Sequence, residues 1–168
     1  MKKSFRRIRG TVLAACLIAG LYRPASAIET RPMPAFTVTR LDGTVVDSAH
    51  LTAETQYVLL YVKPDCRPCD RLLSLIRHAD SPQFTSRVVV LVNGAATAGD
   101  RYVAGLIPAE AGPVTWYADT DGGGYGALRL TGAPVLIGVK DGRVMWSIAG
   151  VLNDAATVES VVRTWVTY

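Results

Sequence analysis

The sequence has few Cys and His residues, and it has no apolar run of transmembrane length. Only three of its 168 residues are Cys and two are His. With no second Cys-x-x-Cys pair, and no His directly after the one present, most zinc and c-type haem sites are excluded. The mostly apolar stretch at 11–22 is shorter than the roughly 20 residues of a comfortable membrane span. No internal repeat is present, and the length predicts one globular domain with its own core.

Residues 1–27 have the pattern of a secretory signal peptide. A basic start precedes the apolar stretch at 11–22, and Ala25-Ser26-Ala27 is a small-x-small cleavage site. We therefore expect a signal peptide at 1–27, one domain at 28–168, and a periplasmic or other extracytoplasmic location. The basic residues of the start are Lys2, Lys3, Arg6, Arg7 and Arg9.

Three alternatives remain for this leader. An uncleaved anchor or a lipid on Cys16 would bring the protein to the membrane, and Arg6-Arg7 resembles part of a twin-arginine signal. Ordinary export is favoured, because the apolar segment before Cys16 is cramped and Arg9 occupies a position that is usually apolar in twin-arginine signals. We expect membrane contact only if the segment is kept or lipidated.

The basic character of the chain belongs to the leader. The full chain has a formal charge of +4, but six of its 18 Lys and Arg residues and none of its 14 acids lie in 1–27. After cleavage, 12 basic residues stand against 14 acidic ones. The mature chain is therefore slightly acidic, and we expect no nucleic-acid partner.

Two cysteines, Cys66 and Cys69, remain after cleavage. They follow the apolar run Tyr57–Val62, which predicts a buried central strand, and they open an amphipathic helix at Arg67–Ala79. A disulfide that closes so short a loop stabilises little, because loop-closure stabilisation rises with loop length. In an exported protein, where disulfides persist, this placement favours redox chemistry over a structural role.

Helical spacing predicts different roles for the two cysteines. Cys69, Leu72, Leu73 and Ile76 share one helical face, which must point inward. Cys66 lies at the helix N terminus, where free N–H groups and the macrodipole favour a thiolate. We therefore expect Cys66 to be the exposed catalytic nucleophile and Cys69 to be the buried resolving thiol.

The neighbours of the cysteines complete a predicted active-site loop of Asp65, Arg67 and Pro68. Pro68 is tolerated near a helix start, since its missing N–H would have no partner there, and it stiffens the loop. Arg67 should favour a thiolate and Asp65 should oppose it.

The rest of the chain alternates strands and helices after an extended lead-in at 28–35. The order predicts an α/β fold with a mixed central sheet, helices on both faces, an N-terminal β-hairpin and an αβ insertion before Ala133-Pro134. Residues 119–124 are predicted as a polar turn. Further strands are expected at 36–40, 45–46, 87–92, 114–117, 135–139 and 143–148, helices at 100–106, 125–130 and 154–166, and a helical or turn connection at 48–52.

The cysteine unit resembles thioredoxin. A strand, Cys66-Arg-Pro-Cys69 and a helix are followed by Ala133-Pro134, an Asp-Gly hairpin and a final helix. The export signal, the hairpin and the insertion are similar to TlpA/ResA-type exported thioredoxin-like proteins. The resemblance covers roughly residues 34–167. It implies a thioredoxin fold, a cis bond that places Pro134 against the dithiol, and client binding along the Ala133 backbone.

The resemblance also implies an activity. It is that of a thiol–disulfide oxidoreductase, a protein-disulfide reductase for extracytoplasmic clients such as apocytochromes or copper-site proteins. A membrane thiol donor would reduce it again, and no metal or cofactor besides the Cys66–Cys69 disulfide is implied. The alternative is a module of the same fold that binds copper or docks partners without turnover. The copper-delivering relatives of this fold use a downstream His beside their cysteine pair. Here neither His50 nor His78 lies downstream near Pro134, and this weakens the copper-binding alternative.

Two positions depart from the thioredoxin pattern. Asp65 replaces the aromatic residue that often precedes the first cysteine, and Leu60 falls near the position of a buried carboxylate. Asp65, Glu54 or a water molecule remain as candidate proton acceptors. Three tryptophans are predicted in the core, the first of them also as a candidate for the substrate surface: Trp116, Trp146 and Trp165.

Overall fold

A computed structural model of the chain provides the fold. The predictions for the signal peptide, for Cys16 and for His78 lie outside the residues that it describes. Among the described residues, no helix is both long and apolar enough to cross a membrane. The described residues are 30–77, 86–106, 114–150 and 155–167.

In this part of the chain, eight strands form one mixed sheet. They are β1 (Arg31–Pro32), β2 (Thr37–Thr39), β3 (Val45–Asp47), β4 (Gln56–Val62), β5 (Val88–Asn93), β6 (Thr115–Asp119), β7 (Val135–Lys140) and β8 (Arg143–Ala149). Their order across the sheet is β1-β8-β7-β4-β5-β6-β2-β3. β4, β5 and β6 are parallel to one another, whereas β7 is antiparallel to β4.

The centre of the sheet is apolar on both faces. Every residue of β4 after Gln56 is buried, and so is every residue of β5 before Asn93. Such continuous apolar runs are typical of strands that are covered on both faces. Because successive side chains of a strand point to opposite faces, Leu60 belongs to one core cluster and Tyr61 to the other.

Helices cover both faces of the sheet. Leu73, Val103 and Val162, from three different helices, pack into the cluster of Leu60, and Tyr125 packs against the cluster of Tyr61. The described helices are α1 (Arg67–Arg77), α2 (Ala96–Leu106), α3 (Gly123–Ala127) and α4 (Ala155–Thr167), with a 3-10 turn at Ser48–His50. The mixed sheet, the N-terminal hairpin and the αβ insertion are thus confirmed.

Three local predictions differ from the structure. The lead-in is partly a strand, because β1 pairs antiparallel with β8. α2 begins at Ala96 rather than at 100, which fits the high helix propensity of the alanines there. The predicted polar turn is wrong at its first residue, since Asp119 is 0% exposed. Its carboxylate binds the N–H groups of Gly124 and Tyr125, so that α3 begins at Gly123 rather than at 125.

The three tryptophans pack at the margin of the Leu60 cluster and stay partly exposed. The rings of Trp146 and Trp165 meet edge to face, with centroids 5.5 Å apart, a favourable geometry for aromatic pairs. Trp116 lies under α2 and also lines an open cavity of about 580 Å³ near Arg40. Its proposed place on the substrate surface stays a prediction.

Gly138 leaves the room that Trp146 needs. A Cβ atom added to Gly138 would lie under 3.0 Å from three atoms of the Trp146 indole, which Trp165 holds from another side. We expect Gly138→Ala to lower the free energy of unfolding by about 1–3 kcal/mol, the typical cost of overpacking. Urea unfolding followed by circular dichroism measures this loss.

Gly126→Ala in α3 is the matched control. No atom lies within 4 Å of the added Cβ there, and alanine favours a helix over glycine by roughly 0.5–1 kcal/mol. Its stability should therefore stay equal or rise. Equal losses at the two glycines would contradict the steric explanation.

Candidate active site

The two cysteines lie where β4 ends and α1 begins. After β4, the backbone reverses at Asp65, whose φ of 59° is in the left-handed region. Asp adopts this conformation more readily than most residues. The turn places Cys66 directly before Arg67, the first residue of α1, and thus at the N-terminal cap of the helix.

Cys66 and Cys69 form a disulfide that joins Cα atoms 5.1 Å apart. The Cys69 backbone N–H points at Cys66 Sγ, with 3.3 Å between N and S. The Cys66 carbonyl accepts the first helical hydrogen bond, from Asp70 N–H at 3.0 Å. In the reduced protein, a Cys66 thiolate would therefore face a free helical N–H and the positive end of the helix dipole.

The exposure predicted for Cys66 is wrong in degree. Cys66 is 6% exposed and Cys69 is 0% exposed, so that Cys66 is the more accessible of the two but is still largely covered. Part of the cover is Ala133, whose carbonyl oxygen lies 3.7 Å from Cys66 Sγ. The disulfide sulfur carries no hydrogen, so this is a packing contact. In the dithiol form the Cys66 S–H could donate to that oxygen.

The Ala133–Pro134 peptide bond is cis, the geometry that the resemblance to thioredoxin implies. Pro134 is buried and Ala133 is partly exposed. The Pro134 carbonyl accepts a hydrogen bond from Gly150 N–H at 3.0 Å, and the next residue, Val135, pairs with Tyr61 of β4. The start of β7 thus brings Ala133 and Pro134 to the disulfide from 67 residues away.

The remaining residues of the predicted loop surround the disulfide. Asp65 and Arg67 are exposed on either side of Cys66, and Pro68 is half-buried in the first turn of α1. The proline costs no helical hydrogen bond there, because the first N–H groups of a helix have no partner within it.

An apolar residue, Leu60, shares the core cluster of the disulfide. Leu60 is 1% exposed and packs in one cluster with Cys66 and Cys69.

The prediction of Glu54 as a candidate proton acceptor for the cysteines is wrong. It precedes β4, at the end opposite to Cys66, and forms an ion pair with Arg87 at 3.4 Å. Asp65 remains a candidate.

Asp70 is a second acid at the site, which sequence analysis missed. It follows Cys69 and lies one helical turn after Cys66. Tyr102 of α2 donates its hydroxyl proton to Asp70 Oδ1, at 2.9 Å. Burial, and then the hydrogen bond and charge of Asp70 and the charge of Asp65, raise the pKa of Tyr102. The Tyr102 hydroxyl therefore interacts with the negative charges of both Asp65 and Asp70.

In the part of the chain that the structure describes, there is no group of three or more His, Cys, Asp or Glu side chains that could hold a metal ion. The disulfide as the only redox group of the protein stays a prediction. His50, at the end of the 3-10 turn, is exposed.

Neither a family model nor a curated protein matches the chain, but solved structures do. A Chlorobium tepidum protein, provisionally described as thiol:disulfide interchange protein DsbE, has a TM-score of 0.63 and 19% identity, over 80% of this chain and 95% of its own. An uncharacterized thioredoxin-like protein from Porphyromonas gingivalis has a TM-score of 0.61 and 20% identity, over 80% and 91%.

A third structure is that of a secreted Mycobacterium tuberculosis disulfide oxidoreductase homologous to E. coli DsbE. Its TM-score is 0.59 and its identity is 17%, over 77% of this chain and 95% of its own. At such low identities the similarity establishes the fold alone. The chain has the thioredoxin fold, with its cysteine pair after the central strand β4 and a cis-proline beside the pair.

Proposed function

We propose that the protein is an exported thiol–disulfide oxidoreductase of the TlpA/ResA type, which reduces disulfides of extracytoplasmic client proteins. The observation that carries the proposal is the contact between the Cys66–Cys69 disulfide, at the start of α1, and the cis Ala133–Pro134 segment. Structures of the same fold include a disulfide oxidoreductase and a protein described as a thiol:disulfide interchange protein, which supports this reaction class.

The proposed reaction is a two-step exchange. The Cys66 thiolate attacks one sulfur of a client disulfide, forms a mixed disulfide and releases the other client sulfur as a thiolate, which takes up a proton. The Cys69 thiol loses its proton and attacks Cys66 Sγ, which releases the second client thiol. The client gains two electrons and two protons, and the protein is left with the Cys66–Cys69 disulfide.

Ala133 is the proposed contact for the client backbone. It is partly exposed beside Cys66 and carries only a methyl group, so that an extended client segment can approach its main chain. Main-chain pairing gives affinity with little dependence on sequence. The proposed clients are apocytochromes and copper-site proteins, whose sequences around the disulfide differ from one class to the other.

The half-buried charge of Asp70 favours the reductive direction. Asp65 and Asp70 disfavour a thiolate, whereas Arg67 and the N terminus of α1 favour it. Asp65 and Arg67 are both exposed and their opposite charges are screened by solvent, but Asp70 is half-buried and held by Tyr102. A dithiol whose thiolate form is less stable gives up its electrons more readily.

The proposed setting is the periplasm or another extracytoplasmic space. Residues 1–27 are the signal peptide in this proposal, and 28–168 are the thioredoxin-like domain. A membrane thiol donor returns two electrons to the Cys66–Cys69 disulfide after each turnover. One structure of the same fold is that of a secreted oxidoreductase, which agrees with this location.

Cys69→Ala should trap the client on the protein. The variant can form the mixed disulfide through Cys66 but cannot resolve it, so that multiple turnover of insulin falls to background while a covalent adduct accumulates. Non-reducing electrophoresis and mass spectrometry of the adduct measure this. The matched variant Cys66→Ala should form no adduct. An adduct at Cys69 in that variant would overturn the assignment of Cys66 as the attacking and Cys69 as the resolving cysteine. Stoichiometric copper binding without disulfide exchange would favour the alternative of a metal-binding module.

Asp70→Asn should make the protein a weaker reductant. Loss of the charge lowers the pKa of the Cys66 thiol and raises the reduction potential by about 10–30 mV, where 30 mV corresponds to a tenfold change in the equilibrium. Equilibration with glutathione gives the potential, and ultraviolet absorbance of the thiolate against pH gives the direction of the pKa change.

Asp42→Asn is the control for charge. Asp42 lies in the turn between β2 and β3 and has the same formal charge. Its substitution should leave the reduction potential unchanged. A lower potential in Asp70→Asn, or equal shifts at both positions, would refute a local electrostatic effect.

A further inference from the structure

A buried polar network lies at the edge of the sheet that carries the disulfide. Asp119 is 0% exposed, and its carboxylate accepts three hydrogen bonds. Tyr61 Oη–H donates to it at 2.7 Å, and the backbone N–H groups of Gly124 and Tyr125 donate at 2.9 Å each. Asn93 Nδ2 donates to Tyr61 Oη at 2.8 Å. We call Asp119, Tyr61 and Asn93 the Asp119 network.

The Asp119 network connects three neighbouring strands. Tyr61 is the penultimate residue of β4, Asn93 is the last of β5, and Asp119 is the last of β6. These strands are parallel, so their carboxyl ends share one edge of the sheet, and Cys66 follows β4 at this edge. The Tyr61 side chain lies on the face opposite to Cys66, since the two belong to different core clusters.

Such an arrangement restrains geometry more than apolar contacts would. A buried carboxylate is costly unless donors satisfy it, and each donor here has a fixed direction. Burial, more than the nearby Asp119 carboxylate, raises the pKa of Tyr61, so its hydroxyl keeps the proton that it donates. Gly124 allows the close approach, because a Cβ there would lie 3.2 Å from Asp119 Oδ2 and from the Phe36 ring.

The Asp119 network reaches the cis-proline by two routes. The Tyr61 backbone pairs with Val135, which directly follows Pro134. The Tyr61 hydroxyl also holds the Asp119 carboxylate, which accepts from the Tyr125 N–H. The Tyr61 and Tyr125 rings are in contact, with centroids 5.6 Å apart, and the Tyr125 carbonyl accepts a hydrogen bond from Leu130 N–H at 3.1 Å. The chain then leads to Ala133, which packs against both core clusters.

We propose that Asp119 and Tyr61 are positioning residues for client binding, which hold the segment 128–134 so that the Ala133 backbone faces Cys66. The inference rests on the proposed function. The disulfide itself is held by β4 and α1, on the other face. Loss of the network should therefore weaken the docking of a protein client far more than it changes the chemistry of the cysteines.

Tyr61→Phe in the full chain tests this, because it removes the hydroxyl and keeps the ring. Loss of a hydrogen bond to a buried charged group weakens the network substantially. We expect part of this to appear as a roughly three- to tenfold higher KM for insulin, with kcat nearly unchanged. The reaction with bis(2-hydroxyethyl) disulfide, which has no peptide backbone, and the reduction potential should stay close to those of the unchanged protein. Asp119→Asn should act in the same direction.

Tyr117→Phe is the matched control. Tyr117 is 2% exposed, and its hydroxyl donates to the Leu51 carbonyl at 2.7 Å, so the variant loses a buried hydrogen bond on the same face, where Tyr61→Phe loses two. It should lose stability but keep the KM for insulin. Equal effects of the two substitutions on KM, or equal slowing of both substrates by Tyr61→Phe, would show a merely structural role. Failure of the unchanged protein to turn over either substrate would instead refute the proposed function, and this inference with it.

Discussion

The antiparallel pairing of β4 with β7 is the constraint on which the candidate site depends. Tyr61, near the end of β4, lies opposite Val135, at the beginning of β7. Whatever follows β4 must therefore meet whatever precedes β7. Cys66 and Ala133 are thus neighbours because of the register between two strands, and the 3.7 Å contact between Cys66 Sγ and the Ala133 carbonyl is its result.

Two opposing influences act on the cysteine pair within this frame. The helix start presents an N–H to Cys66 Sγ at 3.3 Å, which favours a thiolate, and the neighbouring carboxylates disfavour it. Leu60, which packs in the same core cluster as the two cysteines, carries no charge. Under the proposed function, the charges that act on this pair are those of its flanks, Asp65 and Asp70, since the central strand supplies Leu60 rather than an acid.

The sequence was sufficient for the elements that depend on local patterns. The apolar run of β4, the N-terminal β-hairpin and the inward face of α1 all follow from periodicity and turn chemistry, and the cis bond at Pro134 follows from a family resemblance. The features that sequence analysis missed depend on partners that are distant in the chain. Tyr102 binds Asp70 across 32 residues, and Asp119 binds Tyr61 across 58. Nothing local distinguishes such residues from ordinary surface residues.

The burial of Cys66 was misjudged for the same reason. A helix start is commonly exposed, but the segment at Ala133, distant in the chain, covers part of this one. Likewise, a run of Asp, Thr and Gly after β6 is typical of a solvated turn. The carboxylate of Asp119 is buried because Gly124 allows α3 to approach it closely.

The division of the core into two clusters, one on each face of the sheet, has a consequence for how this protein could diverge. Asp70 and Tyr102 belong to helices on one face, and Asp119 and Tyr61 bond to each other on the other. Substitutions at sites without shared partners usually combine additively. If the proposed function holds, selection could therefore adjust the reduction potential of the dithiol and its affinity for clients in separate steps. Ala133, which packs against both clusters, is the position where the two become inseparable.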